Sequence, residues 1–109
     1  MTYKNELMPK FIIYTDGGSR GNPGPSAIGA VVGLKEYGEQ IGRTTNNVAE
    51  YSAVIFALKK AKQLLTKKKA EEMDVELRTD SELLVKQLKG EYKIKDRDLQ
   101  PLFIEISNL

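Results

Sequence analysis

The hydrophobic pattern of this chain switches from strand-like runs to a helical stripe and then back to a strand, and that order leaves few folds open. Phe11-Ile12-Ile13-Tyr14-Thr15 predicts a buried strand over residues 10–16, with Ile12, Tyr14 and Asp16 on one side and Phe11, Ile13 and Thr15 on the other. A glycine- and proline-rich turn over residues 17–25 follows. Residues 27–34 predict a second strand and 37–44 a third, with Lys35-Glu36 as the hairpin connection. Three consecutive strands with short turns imply an antiparallel meander. Tyr51, Val54, Ile55, Leu58, Ala61 and Leu65 then recur at helical spacing, which predicts a helix from about Asn47 to Lys67 whose apolar stripe covers the sheet. A fourth strand from Val75 to Asp80 precedes a short helix, Glu82 to Lys89, stopped by Gly90. Leu99, Leu102, Phe103, Ile106 and Leu109 form a last helical stripe, with Asp98 as its N-cap and Pro101 in its first turn. The long helix serves as a crossover, so the fourth strand pairs in parallel with the first. The expected class is α/β: a mixed sheet of three antiparallel strands and a parallel fourth, with helices packed on it.

Composition narrows the chemistry. A chain of 109 residues makes one small domain over 1–109, with no room for a linker. It is 40% hydrophobic and 29% charged, and no apolar stretch approaches the roughly 20 residues that span a bilayer. The start, Met1-Thr2-Tyr3-Lys4-Asn5-Glu6, lacks a basic segment followed by an apolar one, so a cytoplasmic location is the default expectation. There is no Cys and no His, which excludes disulfides, thiolate nucleophiles and the commonest general base. Catalysis must rest on carboxylates, lysines, hydroxyls or a bound ion. The net charge is only +2, but Lys59, Lys60, Lys62, Lys67, Lys68 and Lys69 cluster, as do Lys86, Lys89, Lys93, Lys95 and Arg97. These groups are compatible with a polyanion, although the lysine pattern alone favours a solvated helix face, since lysine-rich outer faces are ordinary.

Three acids stand where elements end or begin. Asp16 closes the first strand, Glu50 follows Thr44-Thr45-Asn46-Asn47 in the expected first turn of the long helix, and Asp80 closes the fourth strand. Each has an ordinary structural role open to it. Asp16 before Gly17-Gly18 suits a tight turn, Asn47-Val48-Ala49-Glu50 nearly spaces a capping box, and Asp80 or Ser81 can cap a helix. Jointly, the topology brings a pair of strand-end acids and a helix-start acid to one sheet edge. Like charges so gathered need a cation, and an oxygen-rich donor set suggests a hard divalent ion, magnesium first. The turn from Gly17 to Pro25 lacks the Gly-Lys-Ser/Thr of a triphosphate cradle. Its glycines either let a bulky ligand approach or simply bend the chain. Asn22, Asn46 and Asn47 offer amides beside the acids, to a substrate or to the helix start.

Tyr14-Thr15-Asp16-Gly17-Gly18-Ser19 with Gly21-Asn22-Pro23-Gly24, then Thr45-Asn46-Asn47-Val48-Ala49-Glu50-Tyr51, then Thr79-Asp80-Ser81-Glu82, resemble the motifs of the type 1 ribonuclease H family in that family's order. The resemblance spans roughly residues 10–109, and Gly90-Glu91-Tyr92-Lys93 is similar to the short forms without a long basic protrusion. It implies endonucleolytic hydrolysis of the RNA strand of RNA/DNA hybrids. Asp16, Glu50 and Asp80 match metal-binding carboxylates, which implies that they hold two Mg2+ ions about 4 Å apart, with Mn2+ as the alternative. It further implies hybrid contacts from Gly17, Gly18, Ser19, Gly21, Asn22, Thr45, Asn46, Asn47 and Ser81. On this resemblance the chain stops short of a C-terminal strand and helix, the latter bearing a fourth acid. The edge of the fourth strand is then expected to be exposed, so that the chain either self-associates there or is a shortened form of a longer protein. Two rivals are a hybrid-binding module on the same fold that does not turn over, and a transposase- or resolvase-like relative.

Overall fold

A computed structural model describes residues 9–66, 68–69 and 72–89. Their order is β1 (Lys10–Ser19), β2 (Gly24–Val32), β3 (Lys35–Thr44), α1 (Asn46–Leu64), β4 (Asp74–Thr79) and α2 (Glu82–Leu88). The strands form one sheet in the order β3-β2-β1-β4. β1–β2 and β2–β3 are antiparallel, and β1–β4 is parallel with Thr15 opposite Thr79. The expected mixed sheet is therefore the observed one. Residues 90–109, which include Gly90, Lys93, Lys95, Arg97 and the expected last helix, lie outside the described residues.

The alternation along β1 sets the two faces of the sheet. Ile13 is fully buried and Thr15 nearly so, whereas Tyr14 is 46% exposed. Under α1, Ile13, Ala30 and Val32 pack with Ala57 and Ala61, and Tyr51, Val54 and Leu84 form a second cluster that joins α1 to α2. The helix docks on a row of alanines, Ala49, Ala53, Ala57 and Ala61, all buried. Their fourfold spacing keeps one thin face toward the sheet, so the backbones approach closely. The larger apolar residues of the expected stripe flank that row, and Leu65 is instead the C-cap in extended conformation.

Several boundaries differ from the sequence reading. β1 runs three residues further, through Gly17-Gly18-Ser19, because these pair with Ile28, Ala27 and Ser26 of β2. Backbone pairing needs no side chain, so glycines that read as turn residues serve as strand. The hairpin connection is Gly33-Leu34, while Lys35 and Glu36 are already paired in β3. Gly33 has φ +64°, a left-handed conformation that glycine adopts without cost, which is why the reversal falls there. The long helix ends at Leu64 rather than Lys67.

Candidate active site

The end of β1 and the start of α1 are joined by contacts that carry most of the sequence motifs. Thr45 is the N-cap of α1, its Oγ1 accepting from the Val48 amide at 3.3 Å. With Thr45 as cap, Glu50 lies beyond the first turn, which holds no acid, and the capping-box position is Val48. The proposed Asn47–Glu50 box is thereby excluded. Asn46 points its Oδ1 back to β1, accepting from the Ser19 amide at 2.8 Å. Its backbone N–H donates to Asn22 Oδ1 at 3.0 Å. Asn22 and Asn46 thus lock the glycine-rich loop to the helix start, using both carbonyl oxygens internally.

Gly17 sets how close these elements come. A Cβ at that position would lie 2.3 Å from the Ala49 carbonyl oxygen and 2.7 Å from the Glu50 nitrogen. No side chain fits there, and the residue after Asp16 sits directly against the backbone of Glu50. On the other side of β1, the parallel register ends with Thr15 opposite Thr79, so Asp16 and Asp80 are the next residues on neighbouring strands. Both are exposed. Ser81 caps α2, its Oγ accepting from the Leu84 amide at 3.1 Å, which relieves Asp80 of that role. The Ser81 hydroxyl, expected to meet nucleic acid, accepts the cap bond and keeps its O–H as a donor.

Asp16 and Asp80 line one open depression of about 520 Å3 with Tyr14, Glu36 and Arg78. Glu50 does not line it, and among the described residues no group of three or more acidic side chains lies close enough to hold a metal ion. The backbone thus brings two acids side by side and the third adjacent, without gathering all three side chains at one point. The donor chemistry fits a hard divalent cation, since every candidate ligand is a carboxylate oxygen. Behind Asp16, the Thr15 hydroxyl is buried with no hydrogen-bond partner.

Sequence reasoning passed over the row beside these acids. Arg78 donates to the Tyr14 hydroxyl at 2.8 Å and to Glu76 at 2.6 Å, with its guanidinium 5.5 Å from the Tyr14 ring centroid. The Arg78 hydrogen bond holds the Glu76 carboxyl below its ordinary range. Period-two alternation places Tyr14 beside Asp16 and Arg78 beside Asp80, and that signal was available in the sequence. Of the lysines, Lys60 lies over the Tyr37 and Phe56 rings at 5.3 and 5.4 Å, and Lys86 pairs with Glu82 at 3.0 Å.

The RNase H family model matches residues 8–104. The chain belongs to the RNase H family. Among curated relatives, Ribonuclease HI of Halobacterium salinarum is 46% identical over 93 residues, covering 80% of this chain and 44% of that protein. A bifunctional protein of Mycobacterium tuberculosis is 43% identical over 107 residues, covering 92% of this chain and 28% of that protein. The chain therefore spans less than half the length of either. Among solved structures, LC11-RNase H1 in complex with RNA/DNA hybrid has a TM-score of 0.83 at 48% identity, over 91% of this chain and 75% of that one. RNase H1 from the halophilic archaeon Halobacterium salinarum has a TM-score of 0.81 at 42% identity, again over 91% and 75%. Among the described residues, no helix is long and apolar enough to cross a membrane.

Proposed function

We propose that this domain hydrolyses the RNA strand of RNA/DNA hybrids, with Asp16, Glu50 and Asp80 as its metal-holding carboxylates. The observation that carries the reading is the position of Asp16 and Asp80, each one residue beyond the last parallel pair Thr15–Thr79 and lining one depression, with the Glu50 backbone packed against Gly17, in an RNase H chain. Support for the hybrid as substrate comes from the 48% identical relative whose structure contains one.

Asp16 lies between the other two, next to Asp80 across the sheet and next in sequence to the glycine that abuts Glu50, so it is assigned the bridging role. Bound divalent ions, Mg2+ or Mn2+, would supply charge neutralisation at the phosphate and a water acidic enough to attack it. The chain's own part is to hold the acids in place, through the Gly17 contact, the Thr45 cap and the β1–β4 register. The glycine-rich loop, pinned by Asn22 and Asn46, presents a fixed backbone surface for the hybrid's sugars, where a 2'-hydroxyl can be distinguished.

Cleavage of an end-labelled RNA/DNA duplex with Mg2+ or Mn2+, with RNA/RNA duplex as control, tests the proposal. Metal-dependent cutting of the hybrid alone is expected, and Asp16→Asn is expected to abolish it while hybrid binding persists. Cutting by Asp16→Asn at the unmodified rate would remove Asp16 from the mechanism. A second reading, a hybrid-binding domain that does not turn over, is favoured by the absence of a three-acid group among the described residues. Binding without cutting under every metal condition would select it.

A further inference from the structure

Gly17 fixes the backbone of Glu50 relative to Asp16, and the β1–β4 register fixes Asp80 relative to Asp16. The remaining spacing, between Glu50 and Asp80, depends on how α2 sits on α1. Glu50 is followed directly by Tyr51, and Asp80 leads through Ser81 into α2, where Leu84 and Gln87 are buried. The Tyr51 hydroxyl donates to Gln87 Oε1 across 36 positions of sequence. Both residues are buried, and Tyr51 packs in one cluster with Val54, Leu84 and the partly buried Leu77 and Leu88. Between this bond and Asp80 the chain has little slack. The Ser81 backbone N–H donates to Thr79 Oγ1 at 3.2 Å, and Ser81 Oγ accepts from the Leu84 amide at 3.1 Å.

Gln87 departs from what packing alone requires. Among the described residues the buried polar side chains are Thr15, Ser26 and Gln87, and a leucine at 87 would continue the apolar face of Leu84 and Leu88 without needing a partner. What the amide adds is direction. An apolar contact lets one helix slide or turn on another, whereas a hydrogen bond demands both a length and an angle, so a satisfied buried pair specifies one arrangement. We infer that the Tyr51–Gln87 bond is a strut that fixes α2 on α1 and thereby sets the separation of Glu50 from Asp80. Tyr51 and Gln87 are positioning residues, since buried side chains do not reach a substrate. The inference rests on the proposed function, because this separation matters to the chemistry only if Glu50 and Asp80 hold common ions.

The test compares Tyr51→Phe with the double variant Tyr51→Phe/Gln87→Met, in which both partners become apolar groups of similar shape. The single variant orphans the Gln87 acceptor and should melt lower, whereas the double variant leaves no unpaired group at the bond and should melt close to the unmodified protein. Mn2+ binding is then measured by calorimetry without nucleic acid, and cleavage of a labelled RNA/DNA duplex is followed, at a temperature where all three proteins are folded. Losing a group that orients metal ligands weakens metal binding by about 10-fold or more. Both variants are therefore expected to bind Mn2+ about 10-fold more weakly and to show a lower kcat with an unchanged KM for the duplex. A double variant that recovers its melting temperature and also keeps the Mn2+ affinity and kcat of the unmodified protein overturns the strut and leaves the nuclease proposal standing. Should the double variant not fold, Tyr51→Phe decides, because an unchanged Mn2+ affinity there overturns the strut equally. An unmodified protein that neither binds Mn2+ nor cuts the duplex overturns both.

Discussion

Replacing Gly17 with alanine is the sharpest perturbation this structure suggests, because the obstacles are backbone atoms that cannot rotate away. The added Cβ would meet the Ala49 oxygen at 2.3 Å, where ordinary contact begins at 3.4 Å, so β1 and α1 must part by about 1 Å. Overpacking of a close interface costs about 1–3 kcal/mol, and a backbone-to-backbone clash belongs at the upper end. Removing a glycine from the unfolded chain returns about 0.4–1 kcal/mol, leaving a net loss of about 2–2.5 kcal/mol. For a domain of this size each kcal/mol moves the melting temperature by roughly 4–8 °C. Gly17→Ala should therefore melt roughly 10–20 °C lower by circular dichroism, with a matching drop in urea midpoint. The same separation moves the Glu50 backbone away from Asp16, so hybrid cleavage at a temperature where the variant remains folded should fall as well. A melting point within about 3 °C of the unmodified protein, together with normal cleavage, would show that the strand and helix are not in the contact on which the site assignment depends.

Two further outcomes follow from other contacts. The buried Tyr51 hydroxyl is hydrogen-bonded to Gln87 Oε1, so Tyr51→Phe leaves a buried acceptor unpaired and should cost about 1–3 kcal/mol in urea unfolding. Burial also pushes the Tyr51 phenol above its ordinary 10.0; its contribution is therefore complete below pH 10, is lost as pH rises through the raised value, and should be missing from the alkaline melting profile of Tyr51→Phe. Thr45→Ala removes the cap on α1 and should cost about 1 kcal/mol. A larger loss of cleavage than of stability in that variant would tie the cap to Glu50 placement.

The expected metal chemistry and the observed side chains meet only in part. Asp16 and Asp80 share a depression, whereas Glu50 is near through its backbone alone. Of the residues expected to touch the hybrid, Asn22, Thr45, Asn46 and Ser81 all have an oxygen engaged in internal bonds. Any contact they make with nucleic acid must use their remaining donors and lone pairs. These commitments rigidify the loop and both helix starts, which favours a fixed surface for a helical ligand.

Local pattern alone determined the strands, the crossover helix and the meeting of Asp16 with Asp80. Alternation in Phe11–Thr15 and the helical recurrence from Tyr51 to Ala61 depend on neighbours in sequence, and a helical crossover admits essentially one hand. Tertiary structure decided what glycine, alanine and asparagine do, because their roles depend on what approaches them. Gly17-Gly18-Ser19 is strand only because β2 lies alongside, and the alanine row of α1 is an interface only because β1 presses on it. Asn46 braces the loop because Ser19 and Asn22 arrive from more than twenty residues away. The same holds for Tyr51 and Gln87. They read as a stripe aromatic and a polar residue of a short helix until the packing of α2 on α1 buries them in one hydrogen bond.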